Sequence, residues 1–343
     1  MTKHILFSFL AVLFLTTTAS AQIDFARNEP NNAKYIGGPR LGKSQTQIYR
    51  AGIALEPGAF LTSALITVPV PMEWKEQRIV SVNEERMGAG LANRIEYRNI
   101  NGGATEMRLH LANMRSIQPV EIVVAFELQN YELLPPEDTS PYIIPKQIPK
   151  DVAQYLSKSP CIESNESVFT KMYTDITKDR KTDWEKVEAL YSFVQNNVRY
   201  DAAAWNKPAK GALAVTKMPK GEWMGDCKEM TCLFVALCRA GKIPARIVRV
   251  PEHCYAEFYL EMKQENRPRN AAPVGFWFPC QVSGTYSFGG IPEKRVILQK
   301  GDSFPDVDKP RANTLWLQEC FQGTVQSGSP QPRFKFIHDV VLK

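Results

Sequence analysis

Two residues in this chain have the side chains that thiol chemistry needs, at the starts of two different elements. Cys227 lies in Gly225-Asp226-Cys227-Lys228-Glu229-Met230, just ahead of a long apolar run. His253 opens the run His-Cys-Tyr-Ala-Glu-Phe-Tyr-Leu, 26 residues further on. A thiol attacks a carbonyl only as thiolate, and an adjacent imidazole can take its proton and later give it to a leaving amine. If folding brings these two side chains together, the pair is equipped for acyl transfer through a thioester.

The surrounding pattern supplies the positioning elements. Asp226, with Glu229 three residues later, has the form of a helix cap, and Met230 to Ala240 is apolar nearly all round. A helix apolar on every face belongs in a domain centre, and Gly241 is placed to end it at the C′ position. Cys227 then takes the first helical position, where the partial positive charge of the helix end favours a thiolate. Asp226 opposes that by like charge unless its carboxylate is occupied in capping. Beyond the helix, residues 243–250, 253–260 and 276–282 read as three strands. In the second, His253, Tyr255, Glu257 and Tyr259 share one face, while Cys254, Ala256, Phe258 and Leu260 share the other. Upstream, Thr182-Asp183-Trp184-Glu185 is a capping box, followed by Trp184, Val187, Leu190, Tyr191, Val194 and Val198 at helical spacing. A cysteine helix backed by an antiparallel sheet is an α+β architecture.

Residues 47–134 have a different rhythm. Segments such as 64–68, 94–97, 106–111 and 120–128 are β-prone and separated by Asn, Gly and Pro, with Asn101-Gly102-Gly103 as a tight hairpin. Short strands at this spacing predict a β-sandwich of about 100 residues. Its lone His110 reads as structural, as does His338 in a C-terminal strand over 334–341. Prolines 135, 136, 141, 145 and 149 mark an extended linker and place the domain boundary. The predicted organisation is a leader over 1–21, a β-sandwich domain over 22–149 ending in that linker, and an α+β domain over 150–343.

The leader reading rests on a charged start, an apolar run over 5–15 and Ala19-Ser20-Ala21 as a cleavage site. It predicts an exported protein, periplasmic or extracellular, with no stable membrane span once the leader is gone. Loss of Lys3 takes the formal net charge from +6 to +5, and no dense basic block gives a nucleic-acid signal. Seven cysteines leave at least one unpaired in an oxidising compartment, and Cys227 is the candidate. Cys254 and Cys280 are placed to face each other on neighbouring strands. No C-x-x-C pair accompanies the few histidines and no phosphate-binding glycine motif is visible, so no metal or other cofactor is expected.

Gly225-x-Cys227, the apolar helix, Arg239-Ala240-Gly241-Lys242-Ile243-Pro244-Ala245-Arg246 and His253-x-Tyr255-x-Glu257 together resemble the core of the transglutaminase-like superfamily. The helix over 187–200, ending Asn-Val-Arg-Tyr, is similar to the one leading into that core. The resemblance covers about residues 180–283. It implies a papain-like α+β core with a Cys-His-Asp triad, in which Cys227 is the nucleophile and His253 the general base and acid. The third position follows a tryptophan on the next strand and falls on Gln281, after Trp277. An amide oxygen can fix the imidazole tautomer but cannot stabilise the imidazolium by charge. The backbone N–H of Cys227 and the indole of Trp223 are candidate oxyanion donors, Trp223 having packing as its other reading. Glu257 is expected to pair with Arg246 or Arg249. These residues imply an exported enzyme acting on peptide or isopeptide amides of a protein or peptide substrate, with hydrolysis favoured over transamidation. The alternative is a catalytically silent binding or scaffold module of the same fold, which Gln281 favours.

Overall fold

In the computed structural model, residues 37–87, 94–263, 265, 273–309 and 311–343 are described. The leader expected over 1–21 lies outside them. Alternation of apolar and polar residues builds the first part of the chain. Strands β1 (Arg40–Leu55), β2 (Ala59–Val70), β3 (Gln77–Met87), β4 (Arg94–Ile100), β5 (Ala104–Ser116) and β6 (Val120–Leu134) follow one another. On β1, Tyr49, Ala51, Ile53 and Leu55 point inward, and Ile122, Val124, Phe126 and Leu128 do so on β6. They meet Ile66, Val68, Met107 and Leu109 from β2 and β5, two apolar faces closing a sandwich core. The turn between β4 and β5 is the expected hairpin: Asn101 and Gly102 have φ of 53° and 68°, and Gly103 N–H donates to Ile100 C=O at 3.0 Å.

The second part begins inside the proline-rich segment. Strand β7 (Tyr142–Ile143) pairs with the far end of a core strand, and Tyr142 packs 4.8 Å from Phe278. Prolines 141 and 145 leave those two residues free to pair, so the expected linker is partly built into the core. Next come α1 (Lys150–Ala153), α2 (Ser167–Thr177) and α3 (Asp183–Asn197), then β8 (Arg199–Tyr200), α4 (Ala212–Thr216) and β9 (Met224–Gly225). The central helix α5 (Cys227–Ala240) is buried from Cys227 to Arg239. It packs against β10 (Ala245–Val250), β11 (His253–Met262) and β12 (Gly275–Gln281), with β13 (Ser287–Phe288) at the edge. The cap expected at Thr182 is present on α3, with Thr182 and Glu185 satisfying each other's backbone N–H.

Strand β14 (Gln299–Lys300) joins the two parts. It pairs with β10 on one side and with β5 at Ala104 on the other, so the core sheet runs on into one sheet of the sandwich. The chain then passes through β15 (Phe304–Pro305) and β16 (Asn313–Thr314). It returns to the sandwich as β17 (Cys320–Val325) beside β2 and β18 (Phe334–Leu342) beside β1. These last strands, assigned by sequence to the second domain, are edge strands of the sandwich. No seam in that sequence marks the return, because nothing local tells a strand which sheet it will join. Among the described residues no helix is long and apolar enough to cross a membrane.

Candidate active site

Cys227 owes its place to the cap before it. Asp226 has extended backbone (φ −90°, ψ −163°), and its carboxylate accepts from Lys228 N–H at 2.7 Å. Glu229 reaches back to Asp226 N–H at 3.1 Å and takes Lys210 N–H at 2.9 Å with its other oxygen. The cap carboxylate also pairs with Lys228 Nζ. Lys228 donates in addition to the carbonyl of Trp205 at 2.9 Å, over whose ring it lies. The negative charge expected to oppose a thiolate is thus matched one residue beyond the sulfur. Sequence reading missed this role, although a lysine inside an otherwise apolar helix was its signal.

The other end of α5 corrects one expectation. Gly241 is the C-cap itself, at φ −85°, and the left-handed C′ residue is Lys242, at φ 64°. Ile243 N–H closes the helix onto Cys238 C=O at 2.9 Å. Glycine is needed at 241 for space: a Cβ there would overlap the Tyr173 ring. Arg239, in the last turn, donates to Ala245 C=O at 2.9 and 2.7 Å and to Asp302 at 2.6 Å, fixing α5 to the start of β10.

His253 is the first residue of β11, and its Nε2 lies 3.0 Å from Gln281 Oε1 on β12. The Gln281 amide nitrogen donates to Thr285 C=O, which leaves its oxygen facing the ring. Nε2 therefore carries the proton given to Gln281, and Nδ1 is the nitrogen left for the Cys227 side of the ring. The Cys227 thiol is lowered from 9.0 to about 5. The largest cause is the neighbouring Cys254 thiol. Burial acts the other way, the hydrogen bond and positive charge of His253 add to the lowering, and Asp226 opposes it. The other six thiols are all pushed up; burial leads for Cys161, Cys232, Cys238, Cys280 and Cys320, and the contact with Cys227 leads for Cys254.

The three residues singled out by sequence thus meet at the amino end of α5. The seven cysteines are all free. Cys254 and Cys280 are not cross-strand partners, because the register sets Ala256, not Cys254, opposite Cys280. Trp223 is removed from the oxyanion set: its indole N–H donates to Met218 C=O at 3.1 Å and its ring packs on Phe193. Glu257 pairs with Arg246 at 2.7 Å, as expected, and with Lys300 at 2.6 Å, which sequence reading did not anticipate. His110 bonds Glu96 at 2.9 Å, and His338 lies between Tyr49 and Glu319. Cys227 as a residue is 1% exposed. His253 is half-buried and Tyr200 exposed; burial first, then the charges of Cys227 and Asp226, raise the Tyr200 phenol.

Known proteins agree with this architecture. The sequence profile of the transglutaminase-like superfamily matches residues 170–280. A provisionally assigned cysteine protease from Cytophaga hutchinsonii is 16% identical, with a TM-score of 0.56 over 88% of this chain and 92% of its own. At that identity the likeness is one of fold. A provisionally assigned protease from Parabacteroides distasonis is 14% identical over 69% of this chain and 47% of its own, and at a TM-score of 0.26 it carries no weight. No curated protein matches the chain. The chain carries a transglutaminase-like core, joined to a β-sandwich.

Proposed function

We propose that the chain is an exported thiol acyl-transfer enzyme acting on peptide or isopeptide amides, with Cys227 as nucleophile, His253 as general base and acid, and Gln281 as its orienting partner. The observation that carries this reading is His253 Nε2 held at 3.0 Å by Gln281 Oε1, beside a Cys227 at a capped helix start whose thiol is lowered by its neighbours, His253 among them. The thiolate attacks the amide carbon, and the charge that develops on oxygen faces the backbone N–H of Cys227, since the cap at Asp226 already takes those of Lys228, Glu229 and Met230. Collapse breaks the C–N bond. The amine leaves with the proton from His253, and the acyl group stays on sulfur as a thioester. Water then gives a proton to His253 and attacks the thioester, which breaks the C–S bond, releases the carboxylic acid (its proton passing to solvent) and regenerates the thiolate beside a protonated His253. Hydrolysis is preferred to cross-linking because water requires no site of its own. Export rests on the leader sequence.

Gln281 is the observation that favours the other reading, a silent binding module, since a neutral amide leaves the imidazolium without a countercharge. Incubation with a mixed peptide and isopeptide library in the presence of hydroxylamine separates the two. An enzyme that forms a thioester yields acyl hydroxamates, and Cys227→Ala abolishes them. A chain that binds peptides with no hydroxamate and no released amine is the silent module.

A further inference from the structure

The last strand leaves one edge of the sandwich open. Among the described residues β18 has a single neighbour, β1, and their register runs unbroken from Phe334 to Leu342. Just past the two ends, Glu56 N–H donates to Arg333 C=O at 3.0 Å and Lys343 N–H to Thr46 C=O at 3.3 Å. Backbone bonding alternates along an antiparallel strand. The odd-numbered residues of β18 therefore bond β1, and the even-numbered ones turn N–H and C=O outward. Side chains alternate too. Phe334, Phe336, His338 and Val340 stand opposite Leu55, Ile53, Ala51 and Tyr49, on the core side of the sheet, whereas Lys335 and Asp339 lie on its outer side. Phe334 and Val340 are each 41% exposed. A long strand edge with exposed apolar residues is a ready template for another strand.

We propose that β18 pairs with β18 of a second copy of this chain, giving an antiparallel homodimer in which one sheet runs through both sandwiches. A two-fold axis normal to that sheet keeps core side with core side, so odd residues face odd and even face even. One such register suits both faces. With Ile337 on the axis, Lys335 stands opposite the partner's Asp339 on the outer side, and Phe334 opposite the partner's Val340 on the core side. The charged pairs then fall at non-hydrogen-bonded positions, where side chains approach most closely, while Phe336 and the partner's His338 exchange backbone bonds. Asp339 already holds Arg50 at 3.2 Å, but its side chain is 56% exposed and has room for a second cation. Neighbouring registers lose this match. An axis on His338 sets Lys335 against the partner's Val341, and an axis on Phe336 sets Val340 against the partner's Pro332, which has no N–H to give. Charge and apolar complementarity in a single register select this chain itself as the partner.

The test is sedimentation of the full chain from sub-micromolar to tenth-millimolar concentration. The wild type should be a reversible dimer. Lys335→Glu and Asp339→Lys each set like charges against one another at both symmetry-related sites. Either alone should raise the dissociation constant by about thirty-fold, as two cross-strand pairs turn from attraction to repulsion. An equal mixture of the two variants should recover dimers, because both sites then bring opposite charges together. Amide hydrogen exchange reads the same edge without a variant: the N–H groups of Phe336, His338 and Val340 should exchange more slowly in the dimer than in the dilute monomer. A wild type that is monomeric throughout overturns the proposal; protection of those N–H groups in that monomer would mean that another segment of the same chain covers the edge. A dimer that the single variants do not weaken, or that their mixture does not restore, forms through a different face and overturns it equally. None of these outcomes bears on the reading of Cys227.

Discussion

At the scale of single residues, the site is a balance of charges around one sulfur. His253 and Cys254 favour the thiolate; burial and Asp226 disfavour it, the latter muted by Lys228. The sign for stability follows from a folded value near 5 against an ordinary 9.0. The contribution is fully present above about 9 and disappears as pH falls through about 5. Gln281→Asp places a carboxylate where the amide oxygen meets His253, and should raise kcat/KM by about tenfold, the value of roughly one pKa unit of imidazolium stabilisation. Unchanged or lower activity, measured alongside a folded-state spectrum, would mean that position 281 does not support the imidazole. Cys227 and His253 were legible because capped helix starts and strand starts are local patterns, whereas Gln281, the last residue of β12, was reached only through the family resemblance. Cys254 was read as the core face of a strand, which it also is. What the sequence could not tell is that the first residue of α5 lies against that face.

At the scale of elements, α5 holds the site by its two ends. Its amino end is fixed by the reciprocal cap of Asp226 and Glu229, and its carboxyl end by Arg239 on Ala245 and Asp302. The capping box was legible four residues at a time. Asp302 is 63 residues from Arg239, and nothing in the local sequence couples them. Gly241 was legible as a helix end but for the wrong reason, since the left-handed turn falls on Lys242 and the glycine makes room for Tyr173. Gly241→Ala should therefore destabilise the chain by about 1–3 kcal/mol through overpacking, and Tyr173→Ala in the same chain should relieve part of that loss. Equal and additive losses in denaturant unfolding would show that the ring is not the obstacle.

At the scale of the whole molecule, the sandwich and the core share a sheet and a buried charge cluster. Lys300, on the joining strand β14, pairs with Glu76 ahead of β3 and with Glu257 on β11. Glu257 also holds Arg246, whose guanidinium lies 4.0 Å over the Trp277 ring. Burial alone would raise the Glu257 carboxyl, but Lys300 and Arg246 reverse that and hold it below its ordinary value. β11 is therefore gripped from the sandwich side through Glu257, four residues along the same strand from His253. The sequence showed two rhythms of secondary structure and a proline-rich stretch between them. It did not show that β14 would stitch them together, because strand pairing is decided by partners distant in the chain. The account stands on Cys227 being a thiolate paired with His253 in the resting protein. Ultraviolet thiolate absorbance across pH measures this directly. One thiolate should appear with a midpoint near about 5, vanish in Cys227→Ala and move upward in His253→Ala. A titration with no thiolate below the ordinary cysteine range of about 8.5, or one that His253→Ala leaves unmoved, would contradict it.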